Sequence, residues 1–72
     1  PMADTAWVAA IDHQGAAQVM SVAMWSVHFP DLLLLPKPDA TNIRTYNDAT
    51  AAAWAYNVKR RAKPGSRVGV QP

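Results

Sequence analysis

Residues 5–29 read TAWVAAIDHQGAAQVMSVAMWSVHF, and whether this stretch is two strands or one helix decides the fold. Taken as strands, Thr5–Ile11 and Ala16–Phe29 flank the four residues Asp12-His13-Gln14-Gly15. A connection of this length ending in glycine is a common hairpin loop, with glycine taking the positive φ that closes it. The second run carries Val19, Val22, Trp25, Val27 and Phe29, residue types that suit a pleated, half-buried surface. Val19, Ala23, Trp25, Val27 and Phe29 alternate onto one face, interrupted by Ser21. The opposite face holds Gln18, Met20, Val22, Met24, Ser26 and His28. A strand apolar on both faces needs cover on both sides, and a chain of 72 residues is expected to be too short to supply both covers. Taken as a helix, the stretch starts at a cap from Asp4 or Thr5 and places Gly15 mid-helix, at about 1 kcal/mol relative to alanine. Val8, Ile11, Gly15, Val19 and Val22 then form one stripe, with Trp7 and Trp25 off it. The Asp-x-x-Gly loop between two apolar runs favours the hairpin.

Downstream, Pro30, Pro36 and Pro38 each remove a backbone donor and fix φ. They push Phe29, Leu35 and Lys37 toward extended geometry. Residues 30–44 therefore read as a Pro-rich extended arm, with Leu32, Leu33, Leu34 and Leu35 as one short extended piece or one helical turn. Four consecutive leucines cannot all face one core. The expectation is that some of them dock on another chain, since contiguous exposed apolar surface marks an interface. The alternative is that the arm covers its own hairpin.

Thr45-Tyr46-Asn47-Asp48 matches a capping box, with Asp in place of the usual Glu. No Gly or Pro follows until Pro64-Gly65, which stops a helix. The spacing predicts a helix over 45–62, with Ala51, Trp54, Ala55, Val58 and Ala62 on one face. Small residues there let another backbone approach, and Trp54 adds bulk. Residues 63–72 read as a basic, extended tail. The expected architecture is α+β in one small domain: an N-terminal hairpin, a Pro-rich arm, one C-terminal helix and the tail. An all-α fold of two helices is the alternative.

A chain this short buries only about 60% of its unfolded surface, and small scaffolds are usually reinforced by disulfides, a metal or oligomerisation. With no Cys and two His, disulfides and thiolate chemistry are excluded and an ordinary His-based zinc site is disfavoured. Association with other chains is the reinforcement left. No run of 18 apolar residues occurs, so no membrane span is expected. The first ten residues carry an Asp and no Lys or Arg, unlike a signal peptide. The reading is a cytoplasmic protein or a virion component.

Charge is unevenly placed. Residues 1–48 hold five Asp against Lys37 and Arg44, a balance of −3; residues 49–72 hold five cations and no acid, +5; together they make the chain's +2. Lys59, Arg60, Arg61, Lys63 and Arg67 thus form a candidate site for an anionic partner, either an acidic protein surface or a phosphate backbone. Trp54 and Tyr56, one to two turns upstream, are the aromatics available for stacking on bases. The plain alternative is a solvated helix end whose cations suit the dipole.

No catalytic constellation stands out. Asp12 beside His13 makes a crude acid–base or metal pair, a juxtaposition common without function. The glycines are scattered, so no phosphate loop exists. Pro1 offers a secondary amine, the base used by small tautomerases, but those chains run from the proline straight into a strand and Met2-Ala3-Asp4 does not. The three Trp residues suit either one shared core or interface anchoring. The sequence therefore reads as a non-enzymatic structural subunit of a larger assembly, homo- or hetero-oligomeric, needing no cofactor or metal. Leu32–Leu35 and Trp54 are its expected protein interface, and a capsid-associated component is one concrete form. A small nucleic-acid-binding protein ranks second and a tautomerase-type enzyme third.

Overall fold

The computed structural model describes residues 6–38 and 41–62. Among these the elements run β1 (Trp7–Ile11), β2 (Ala17–Ser21), α1 (Val22–His28), β3 (Leu33–Leu34) and α2 (Tyr46–Arg61). The fold is α+β, with a three-stranded antiparallel sheet in the order β2-β1-β3. Thr5, the first residue of the expected first strand, and the tail from residue 63 lie outside the described residues.

The hairpin forms where the loop chemistry placed it. Asp12 Oδ1 accepts from the backbone N–H of Gln14 (2.9 Å) and of Ala16 (3.0 Å). The Gly15 N–H donates to Asp12 O at 3.0 Å, and Gly15 has φ +89°. An Asx turn of this kind gives the chain its reversal without help from the rest of the fold. Register follows, with Ile11 opposite Ala17 and Trp7 opposite Ser21.

The expected second strand, Ala16–Phe29, is corrected by the structure. It ends at Ser21, and the rest becomes α1. The change comes where the pairing with β1 stops, since Trp7, the first residue of β1, pairs with Ser21. One further backbone bond, Val22 N–H to Ala6 O at 2.9 Å, closes the ladder. Ser21 then turns its hydroxyl to accept from Met24 N–H at 2.9 Å and caps the new helix.

β1 is paired along both edges. On the side away from β2, Ala10 and Ile11 pair with Leu34 and Leu33, and Leu35 N–H donates to Ala9 O at 2.8 Å. The chain then leaves at Pro36, which has no donor to continue a ladder, and returns at Arg44. Trp7 and Arg44 exchange both backbone bonds, at 3.0 and 2.8 Å. The Arg44 side chain closes the neck of this excursion. Its Nη2 donates to Leu35 O (2.9 Å) and Pro36 O (2.8 Å), and the residue is only 8% exposed.

Both faces of β1 are buried. Ala9, with Ala17 and Ala53, forms the core under α2, with Val19, Leu35, Ala52 and Tyr56 around it. Val8 and Ala10 alternate with Ala9 and so face the other way, yet they are as deeply buried. Cover there comes from α1, which packs on β1 and β2, and from Leu32, whose carbonyl accepts from Trp25 Nε1 at 3.0 Å. The chain thus covers both faces of the middle of β1 itself. Alanine makes it feasible, because thin side chains let short elements approach closely.

α2 begins as the capping box indicated, with Thr45 Oγ1 accepting from Asp48 N–H at 3.0 Å. Its rotation is fixed by Asn57. The side-chain amide donates to Ala17 O (3.0 Å) and its Oδ1 accepts from Ala17 N–H (2.8 Å), so one side chain occupies the outer edge of β2 as a neighbouring strand would. Near the helix end, Arg60 Nη2 donates to Gln14 O at 3.3 Å.

Asn57→Ala removes both bonds and leaves a part-buried peptide unpaired. Two bonds at about 1 kcal/mol each predict a loss of about 2 kcal/mol in urea unfolding. A change under about 0.5 kcal/mol, the level of an ordinary surface substitution, would contradict this role.

Candidate interaction surface

The five residues expected as a protein interface separate in the structure. Leu32 is in the core at 7% exposure, and Leu34 and Leu35 are half-buried within the fold. Leu33 points outward at 73% exposure, on the face of the sheet that carries Ile11. α2 lies over β1 and β2 rather than over β3, which leaves Leu33 uncovered. Trp54 is 65% exposed on α2. The four leucines thus mainly complete the chain's own sheet, with Leu33 left over at its edge.

The stripe read from the spacing of α2, which carries Trp54, is not the one that packs on the sheet. Ala49 and Ala53 are buried, with Ala52, Tyr56 and Asn57 partly so. Ala51, Trp54, Ala55 and Ala62 are exposed, and Val58 is half-buried beside them. Positions 51, 54, 55, 58 and 62 are neighbours at helical spacing, so they form a continuous apolar strip on the outer side. Thr50 and Arg61 flank it on one side, Asp48 and Lys59 on the other. The helix carries an alanine stripe on each side. Sequence spacing finds both and does not rank them; the signal that ranks them is Asn57, the polar residue on the inner stripe with a backbone edge to meet.

A second apolar surface lies on α1. No residue of that helix is fully buried. Met24 and Val27, three apart, are exposed at 44% and 69%, and Phe29 just beyond the helix end is also exposed. The three tryptophans do not gather into one core. Trp7 meets Tyr46 edge-on with ring centres 4.9 Å apart, Trp25 bonds the Leu32 carbonyl, and Trp54 faces outward.

The cationic set also divides. Arg60 is half-buried and lies over the hairpin loop, its guanidinium 3.5 Å from where a Cβ on Gly15 would stand. Lys59 and Arg61 are exposed in the last turn of α2. Lys63 and Arg67 lie outside the described residues, as does Pro1. His13 turns away from Asp12: its Nε2 lies 3.0 Å from Asp31 Oδ2, an exposed contact tying the hairpin loop to the turn after α1. Among the described residues no group of three or more potential metal ligands is found, and no helix is long and apolar enough to cross a membrane.

No protein-family model matches this chain. Nothing among curated proteins or solved structures matches it either.

Among the described residues Asp12 and Asp31 have pKa values below the usual range. Asp12 is held down first by the Gln18 side-chain amide, 2.9 Å from Oδ2, and then by the loop N–H groups, led by Ala16. Asp31 is held down first by its hydrogen bond with His13. A lowered folded value means the charged form is favoured by folding. Its contribution is therefore present above the ordinary carboxylate range near about 4 and is lost as pH falls through the folded value. Asp12→Ala should be less stable than the parent chain at pH 7, with the gap closing as the pH drops through the acid range. Thermal unfolding across pH reads this directly; a gap that widens in acid would contradict it.

Proposed function

We propose that this chain is a non-enzymatic interaction subunit of a larger assembly, and that it docks on protein partners through the outer faces of its helices. The observation that supports this most is Trp54, a large aromatic held in the middle of an otherwise apolar helix face and 65% exposed. Magnitudes favour an interface. Among the described residues five of the seven buried apolar ones are alanines, each contributing about 0.8 kcal/mol for its methyl group. Covering the exposed part of one Trp ring, some 100–150 Å² of the 150–250 Å² such a side chain buries, is worth about 3 kcal/mol at about 25 cal/mol per Å². One external contact would thus equal three or four internal methyls. The capsid-associated form of such an assembly rests on size and composition alone.

A nucleic-acid reading has its own support: Trp54 is accessible for stacking, and Lys59 and Arg61 stand one to two turns beyond it. It ranks second because Arg60 is engaged with the hairpin loop. A phosphate-bound state loses counterions, so each contact removed should lower the log–log salt slope by about 0.9.

Two measurements test the proposal. The chain extracted gently from the cells that make it should migrate well above its own 7.8 kDa, free of nucleic acid. Exchanging Trp54 and Val27 for lysine should return it to that mass with helix content unchanged. Native extracts in which the chain runs alone would refute the subunit reading. Binding of the pure chain to random-sequence DNA at about 0.15 M salt, weakened in slope by about 2 in Lys59→Gln with Arg61→Gln, would favour the second reading.

A further inference from the structure

We infer that the outer face of α2 is a self-docking surface, on which a second copy of this chain packs its own α2 in antiparallel orientation about a twofold axis near Trp54. The inference rests on the subunit reading above and names the partner.

The argument is the placement of charge about the apolar strip. Asp48 lies in the first turn of α2 and Lys59 in the last, both exposed. They are eleven residues apart, close to three full turns, so they stand on the same flank of the strip. Trp54 lies midway between them along the axis. When two identical helices pack antiparallel about residue 54, residues whose positions sum to about 108 face each other, and each flank meets the same flank of the copy. Setting Trp54 at the axis brings Asp48 opposite Lys59 of the copy and, by symmetry, Lys59 opposite its Asp48. The same centre sets Ala51 against Val58 in the seam and the two indole rings beside one another. Alanines at 51, 55 and 62 let the helices approach closely enough for each Trp54 to seat in the hollow between turns.

A parallel arrangement fails on the same residues. It puts the basic turn Lys59-Arg60-Arg61 beside its own copy and aligns the two helix dipoles. Exposed ion pairs contribute little affinity. What they fix is direction, because opposed like charges penalise the wrong alignment. The buried aromatic supplies the affinity. Two-fold self-complementarity is also the commonest way identical chains associate.

The test uses the purified full chain, free of other components, in sedimentation equilibrium and native mass spectrometry. A dimer is expected. Trp54→Ala should weaken it by about tenfold or more, as truncating a central aromatic anchor does. Circular dichroism should show the helix intact, since Trp54 contributes little to the core. Asp48→Lys and Lys59→Asp should each weaken the dimer, and the two together should restore it. Single changes that weaken while the pair fails to restore would overturn the antiparallel arrangement. A dimer indifferent to Trp54→Ala but lost on Val27→Lys would overturn the choice of face. A pure chain that stays monomeric would overturn self-docking altogether. In that last case native extracts separate the two failures: a large species there leaves the subunit reading standing, and a lone chain removes both.

Discussion

The two hydrogen bonds between the Asn57 side chain and the Ala17 backbone determine which way α2 faces, and much of the surface follows from that choice. A helix with alanine on both sides can approach the sheet by either, and apolar content does not select the side that packs, since the outer stripe holds Trp54 and Val58 where the inner holds Tyr56 and Asn57. Turning the outer stripe inward would free the Ala17 peptide, and a buried unpaired polar group costs about 1–3 kcal/mol. The polar pair lies on the side that packs, and the apolar pattern alone does not pick that side. It also occupies the β2 edge, where an unpaired strand invites another chain. The same rotation brings Arg60 over the hairpin loop and carries Trp54 outward.

Around that contact the fold centres on β1. It is paired along both edges and its middle three residues are buried, so each other element is placed by reference to it. Alanine at positions 9, 10 and 17 keeps the layers thin enough for a seven-residue helix on one side and a sixteen-residue helix on the other. The arm is secured by charge more than by apolar burial. Arg44 is in place because two carbonyls converge on its Nη2 where the chain leaves the sheet, while Nε has no partner among the described residues. A core of this kind holds its shape by hydrogen bonds and close approach. It leaves Met24 and Val27 of α1 and Trp54 of α2 at the surface.

Local chemistry was legible in the sequence, and competition between similar surfaces was not. The Asp12–Gly15 loop, the Thr45 cap and the extent of α2 could be read because each depends on residues within a few positions of one another. α1 is hidden because Val22, Trp25, Val27 and Phe29 favour strands locally, whereas the strand ends at Ser21, opposite the first residue of β1. Ser21, read as an interruption of a strand face, was the available sign of a helix cap. The spacing of α2 shows the stripe that carries Trp54 but not the inner one that packs on the sheet, because the Ala17 peptide that Asn57 meets lies forty positions away. The leucine arm showed a related limit: the sequence indicated that the four could not share one core, and the fold decided that Leu33 is the one turned out.

The rotation of α2 is open to direct observation by NMR on the chain carrying labelled alanine methyl groups. Nuclear Overhauser contacts should connect the Ala53 methyl with those of Ala9 and Ala17, and the Asn57 side-chain amide with Ala17. The Trp54 indole should show no contact to β1 or β2. Contacts from Trp54 or Ala51 into the sheet, with Ala53 facing solvent, would contradict the account.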